Sequence, residues 1–165
     1  MAAPIRITKP DGTVLELVET LPAEDLHGGR RPARLKARKQ ALDLLYAIEL
    51  RGDEAAEVRA DFAADTETEL RPFARELIEG VQSRRREIDN LIIGSLSAEW
   101  TLDRMPRIDR CLARLAIYEL LAGEVAAEVA VEQAVSLAAE LSTDDSAAFL
   151  NGLLVAVRGQ LAPLG

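Results

Sequence analysis

Apolar residues recur with a helical period from Pro32 onward. Leu35, Leu42, Leu45, Tyr46 and then Glu49 or Leu50 line one side, while Arg34, Lys36, Arg38 and Lys39 fall on the other, which predicts an amphipathic helix that Gly52 closes. A shorter helix is expected over residues 54–64. A longer one starts near Thr68 or Glu69, with Phe73, Leu77, Val81, Ile88, Leu91 and Ile92 as its buried stripe and Pro72 in its first turn, where a missing amide costs little. Pro106 suits a fourth start. Ile108, Cys111, Leu112, Leu115, Tyr118 and Leu121 then form a stripe that Gly123 stops. Val131, Ala134, Val135, Ala138 and Leu141 make the next helix, ending at Ser142. Ser142 or Thr143 then caps a last helix, with Asp144 and Asp145 in its first turn and Phe149, Leu150, Leu153, Leu154 and Val157 buried. Ahead of these helices, Ile5 and Ile7, a Lys-Pro-Asp-Gly turn and Val14, Leu15, Leu17 and Val18 read as a β-hairpin, followed by a linker ending at Gly28-Gly29. The predicted fold class is all-α: a non-helical extension over 1–29 and a helical domain over 30–160.

Composition narrows the chemistry. At 165 residues, 48% hydrophobic and 29% charged, the chain is long enough for one domain or for two very small subdomains sharing a core. Charge interrupts every apolar run, and Met1–Gly12 carries no basic cluster followed by an apolar block, so a cytoplasmic protein without membrane contact is expected. A lone Cys111 and a lone His27 provide neither an internal disulfide nor a conventional zinc site, and no metal or other cofactor is expected. Asp144 and Asp145 could serve as paired carboxylates. Adjacent helical residues point in different directions, however, and no nucleophile, histidine or glycine-rich phosphate loop accompanies them. Capping is the better reading, no catalytic residue is assigned, and the chain does not read as an enzyme.

The net charge of −8 argues against a nucleic-acid partner until its distribution is considered. Arg30, Arg31, Arg34, Lys36, Arg38 and Lys39 place six basic residues within ten positions without an acid among them, leaving 14 basic against 28 acidic residues elsewhere. An acidic body with one basic strip can meet phosphate in one orientation only. The competing reading is a solvated basic helix start. Arg84, Arg85 and Arg86 spread over more than half of a helix circumference and read mainly as solvated surface.

Several segments now combine. Ala37-Arg38 with Ala41 and Leu45-Tyr46; Phe73 with Glu76-Leu77 and Gly80-Val81; Ile108-Asp109-Arg110 with Leu115 and Tyr118-Glu119-Leu120; Val129-Ala130-Val131 with Glu132 and Ala134; and Asp144-Asp145-Ser146 with Phe149 and Asn151-Gly152 resemble the NusB family in order and spacing. The resemblance covers about residues 31–158. It implies two small helical bundles packed across each other and an antitermination role. The implied ligands are single-stranded boxA RNA of ribosomal RNA leaders and the small-subunit ribosomal protein that doubles as NusE, with other Nus factors and RNA polymerase reached indirectly.

Under that resemblance Arg31, Arg34, Lys36, Arg38 and Lys39 form the arginine-rich RNA-binding start. Phe149 falls at an aromatic contact, Asp145 at an acidic residue near the same surface, and Arg114 reaches toward it from the neighbouring helix. Phe149 equally suits the core, Asp145 a cap, and Arg114 a pair with a surface acid. Tyr46, Leu50, Asp103 and Asp109 match positions used against the ribosomal protein, although Tyr46 suits the core as well. Ala147 and Ala148 depart from family members that carry a basic residue before the aromatic. A helical interaction module, or a homodimer that hides its RNA face, remains the alternative. The RNA-binding domain of an RNA methyltransferase would need a separate cofactor domain, for which 165 residues leave no room. If the basic strip binds RNA, Arg34→Ala with Arg38→Ala should weaken binding across sequences and leave helix content unchanged.

Overall fold

The computed structural model describes residues 5–8, 14–17, 30–51 and 70–162, with backbone alone described for 5–8, 14–17 and 30–32. The chain clusters into two compact units, 1–34 and 35–165. In the first, β1 (Ile5–Thr8) and β2 (Val14–Leu17) pair antiparallel, Ile5 opposite Leu17 and Thr8 opposite Val14. Six α-helices follow among the described residues: α1 (Arg30–Arg51), α2 (Pro72–Ser83), α3 (Arg85–Ser95), α4 (Arg107–Ala122), α5 (Ala127–Leu141) and α6 (Ser146–Leu161). The fold class is all-α, as the periodicity predicts. The helix expected over 54–64, and Gly52 as the stop of α1, lie outside the described residues.

Each helix end has a local cause. Arg71 is extended (φ −63°, ψ 145°) because the ring of Pro72 disfavours helical geometry in the residue before it, so α2 starts at Pro72 rather than near Thr68. The single helix expected from there to Ile92 is two: Arg84 leaves helical geometry at φ −109°, ψ 18°, and the chain bends between α2 and α3. The Arg84 N–H still donates to the Gly80 carbonyl and its own carbonyl accepts from Ile88, so the ladder is continuous on either side of the bend. Gly123, at φ 70°, closes α4 in the left-handed region that glycine enters without steric cost. Asp144 and Asp145 precede α6 instead of forming its first turn, and neither caps it through a side chain. The buried Ser146 hydroxyl organises the turn instead, accepting the Thr143 N–H at 3.2 Å and donating to Ser142 Oγ at 3.0 Å.

α4 is the central helix, packed against α2, α3, α5 and α6. Leu112 and Ile117 of α4, Leu77 of α2, Ile88 and Ile92 of α3, and Leu150 and Leu154 of α6 are all essentially inaccessible to solvent. Each such side chain contributes roughly 1.5–3 kcal/mol through removal from water. Gly80 of α2 is where α4 comes closest: a Cβ there would fall inside the Tyr118 ring. Gly80→Ala should therefore push Tyr118 from its seat. An overpacking cost of about 1–3 kcal/mol exceeds the roughly 1 kcal/mol gained in helix propensity, and a lowered urea midpoint would show it.

Candidate nucleic-acid interface

The basic strip does not face one way. Lys36 is exposed and Arg34 half-exposed, whereas Arg38 is only 5% exposed and points inward. It lies three and seven residues before the buried Ala41 and Leu45, and so shares their face. Its guanidinium meets Glu119 of α4, with Nη2 donating to Oε1 at 2.7 Å and Nε shared between both carboxylate oxygens, and it sits 5.5 Å from the centre of the Phe73 ring. Arg38 is thus a core residue and not a phosphate contact, because a carboxylate inside the fold answers its charge. Lys39 pairs at 3.2 Å with Glu140 of α5 at the surface, an interaction of small energetic weight. The side chain of Arg31 lies outside the described residues. Arg71 and Arg75, distant in sequence, line the same groove between α1 and α2 as Lys36 and Lys39, with Tyr118 and Asp43 also at its wall. Burial pushes the Asp43 carboxyl up from its ordinary value against the opposing pull of Lys39. Sequence reasoning missed Arg71 and Arg75; their i, i+4 spacing across Pro72 was the available signal.

Arg114 is also withdrawn. At 4% exposure it donates through Nε to Asp89 Oδ1 at 2.8 Å, through Nη2 to Asp89 Oδ2 at 3.3 Å and through Nη1 to Glu49 Oε2 at 3.4 Å. Its expected approach to Asp145 is not made. Glu49 also pairs with Arg110, Asp89 pairs with Arg85 at 3.3 Å, and the Cys111 thiol donates to Glu49 Oε2. Three arginines and two carboxylates from α1, α3 and α4 thus form one cluster that runs from the buried Arg110 and Arg114 to the partly exposed Arg85. Burial, and then the neighbouring Arg114, lower the Arg110 pKa, and burial raises that of the Cys111 thiol, which stays protonated.

The remaining expected residues divide in the same way. Phe149 is half-buried on α6, one turn after the exposed Asp145, whose carbonyl accepts its N–H at 3.1 Å. Against it leans Trp100, a residue that sequence reasoning did not single out, with ring centroids 5.3 Å apart and planes inclined at 44°. Its signal was a tryptophan in a charged connector, belonging to no apolar stripe. Tyr46 is half-buried, Leu50 is half-exposed to solvent, and Asp103 is exposed. Asp109 is buried, and its carboxylate accepts the Ser142 hydroxyl, so it holds the α5–α6 turn rather than facing a partner. No helix among the described residues is long and apolar enough to cross a membrane.

Among the described residues, five helices meet a charge-locked central sixth, with aromatic and basic side chains left at the surface, which defines the class as an all-α helical domain. The transcription antitermination protein NusB of Acidothermus cellulolyticus is 49% identical over 132 residues, spanning 79% of this chain and 90% of its own. That of Salinispora tropica is 51% identical over 128 residues, spanning 74% and 93%. The solved structure of T. maritima NusB superposes with a TM-score of 0.70 at 30% identity, covering 79% of this chain and 93% of its own. A crystal structure of antitermination factors NusB and NusE in complex with dsRNA shares the fold, with a TM-score of 0.67 at 24% identity, covering 77% and 96%. The NusB family profile matches residues 35–158, and the chain belongs to the NusB family.

Proposed function

We propose that this protein is a binding adaptor rather than an enzyme, holding boxA-like single-stranded RNA of ribosomal RNA leaders together with the ribosomal protein NusE in transcription antitermination, and joining other Nus factors and RNA polymerase through that complex. The observation that carries the reading is Phe149. Leu150, Leu153, Leu154 and Val157 of the same helix are buried, yet its ring reaches the surface one turn from the Asp145 carboxylate. Unpaired bases need such a flat face to stack on and such an acceptor for their amino groups, and Lys36 with the half-exposed Arg34 and Lys39 offers the cations for phosphate. Leu50, at 50% exposure, with Tyr46 and the exposed Asp103, suits a basic protein partner that carries an apolar contact.

The test is a titration of a labelled boxA-like RNA with and without the ribosomal protein. With about three phosphate contacts to a single strand, affinity should fall roughly twentyfold from 50 to 200 mM salt. Lys36→Ala should flatten that salt dependence by about 0.7 in logarithmic slope. Binding in no condition, together with a concentration-dependent mass, would instead identify a homodimeric interaction module.

A further inference from the structure

The connector between α3 and α4 is held more firmly than its lack of long helix suggests. The Trp100 N–H donates to the Ser97 carbonyl at 3.0 Å, and Leu102–Arg104 form a 3-10 turn. Arg104 Nη1 donates to the Glu99 carbonyl at 2.9 Å, and Arg110 Nη1 donates to the Leu102 carbonyl at 2.8 Å. Arg110 is itself buried and bound to Glu49, so a guanidinium anchored in the core grips the segment that carries Trp100. On this fixed connector stands the only tryptophan of the chain, 43% exposed. Its inclined contact with Phe149 leaves much of the indole open to solvent.

A large aromatic held rigidly at the surface offers a flat face on which another flat group can stack. Along the connector, Ser97, Glu99, Thr101, Asp103 and Arg104 are all exposed and polar, so Trp100 stands in a mainly polar stretch of chain, unlike the apolar centre of a protein interface. Among the described residues the other exposed large apolar side chains, Leu50, Ile93, Leu141, Val155 and Leu161, are aliphatic and offer no π face. Trp100 instead adjoins Phe149, and Arg104 and Arg107, both exposed, are close in sequence to supply charge for phosphate. Stacking needs only a flat face and tolerates a polar surround, because each base brings its own sugar and phosphate to water.

We propose that Trp100 and Phe149 form a two-ring platform on which successive unpaired RNA bases stack, Trp100 extending the surface beyond Phe149. The proposal rests on the RNA-binding reading above. Preorganisation by Arg104 and Arg110 limits the entropy lost when a base seats on the indole.

The full chain tests it directly, since all tryptophan emission comes from Trp100. A short boxA-like RNA with a terminal dye is titrated while dye anisotropy reports binding and tryptophan emission reports stacking. The expected result is quenching in step with anisotropy. Trp100→Leu should lose roughly five- to a hundredfold in affinity with its urea midpoint retained, and Trp100→Phe should keep most of the affinity. Should Trp100→Leu fail to fold, wild-type quenching and Trp100→Phe still decide. Anisotropy showing binding while emission stays constant would overturn the platform and leave the RNA reading standing. Emission that responds to the ribosomal protein alone and not to RNA would overturn it in favour of a protein contact. Binding absent at low salt would remove the RNA reading and the platform together.

Discussion

Arg38→Ala is expected to lower folding stability by about 3–5 kcal/mol, a large part of what a domain of this size possesses. The loss comes less from a missing attraction than from what remains behind. Glu119 is 4% exposed, and Arg38 is the cation that meets it among the described residues, so truncation leaves a carboxylate inside the fold without compensation. Replacing both partners with apolar groups of similar volume, Arg38→Met with Glu119→Leu, should recover much of the stability, because the desolvation of both charges is then avoided. Urea unfolding followed by circular dichroism measures all three proteins. A single variant within about 1 kcal/mol of wild type would mean that water reaches Glu119 in solution, as at a surface pair. The same variant separates two causes of weakened RNA binding. Arg38→Ala should reduce the folded fraction while affinity per folded molecule is unchanged, whereas Lys36→Ala should reduce affinity at unchanged stability. The double substitution of Arg34 and Arg38 should therefore lower stability along with any RNA contact, and Lys36→Ala is the cleaner test of the strip.

That contrast also shows what the sequence could and could not reveal. Apolar periodicity located α1, α4, α5 and α6, and the stops at Gly123 and Ser142 were readable because they are local: a left-handed residue and the end of a stripe. Periodicity sorts residues into apolar and polar faces and assumes that the polar face meets water. α4 breaks the assumption. Asp109, Arg110, Arg114 and Glu119 are charged and would be expected to meet water, yet all are buried, because Ser142, Glu49, Asp89 and Arg38 come from other elements to satisfy them. The resemblance to the family marked Arg38, Arg114 and Asp109 as residues that matter without distinguishing contact from support, since both roles constrain a residue type. Phe149 was legible as an alternative between core and surface, and only its neighbour Trp100 shows how a half-buried ring belongs to a surface feature. The bend at Arg84 had no signal, as no glycine or proline marks it.

Glu49→Gln should be the second most damaging single change, with a loss near the lower end of about 3–5 kcal/mol. The substitution keeps the shape and removes only the charge. Glu49 lies between Arg110 and Arg114, one turn apart on α4, and accepts from the Cys111 thiol as well. Without the anion the two guanidiniums repel each other in a poorly solvated site, where Arg114 already disfavours the charged form of Arg110. Arg114 keeps Asp89, but Arg110 keeps only the neutral Leu102 carbonyl among the contacts described for it. Arg114→Met acts differently: Asp89 retains Arg85 and Glu49 retains Arg110, so each carboxylate still has a cation. Glu49→Gln should therefore destabilise more than Arg114→Met, even though Arg114 makes three hydrogen bonds of its own. Chemical denaturation of the two variants gives the order directly. The reverse order would mean that Asp89, not Glu49, is the charge on which the cluster depends, and that the Arg110 grip on the Trp100 connector survives without its buried anion.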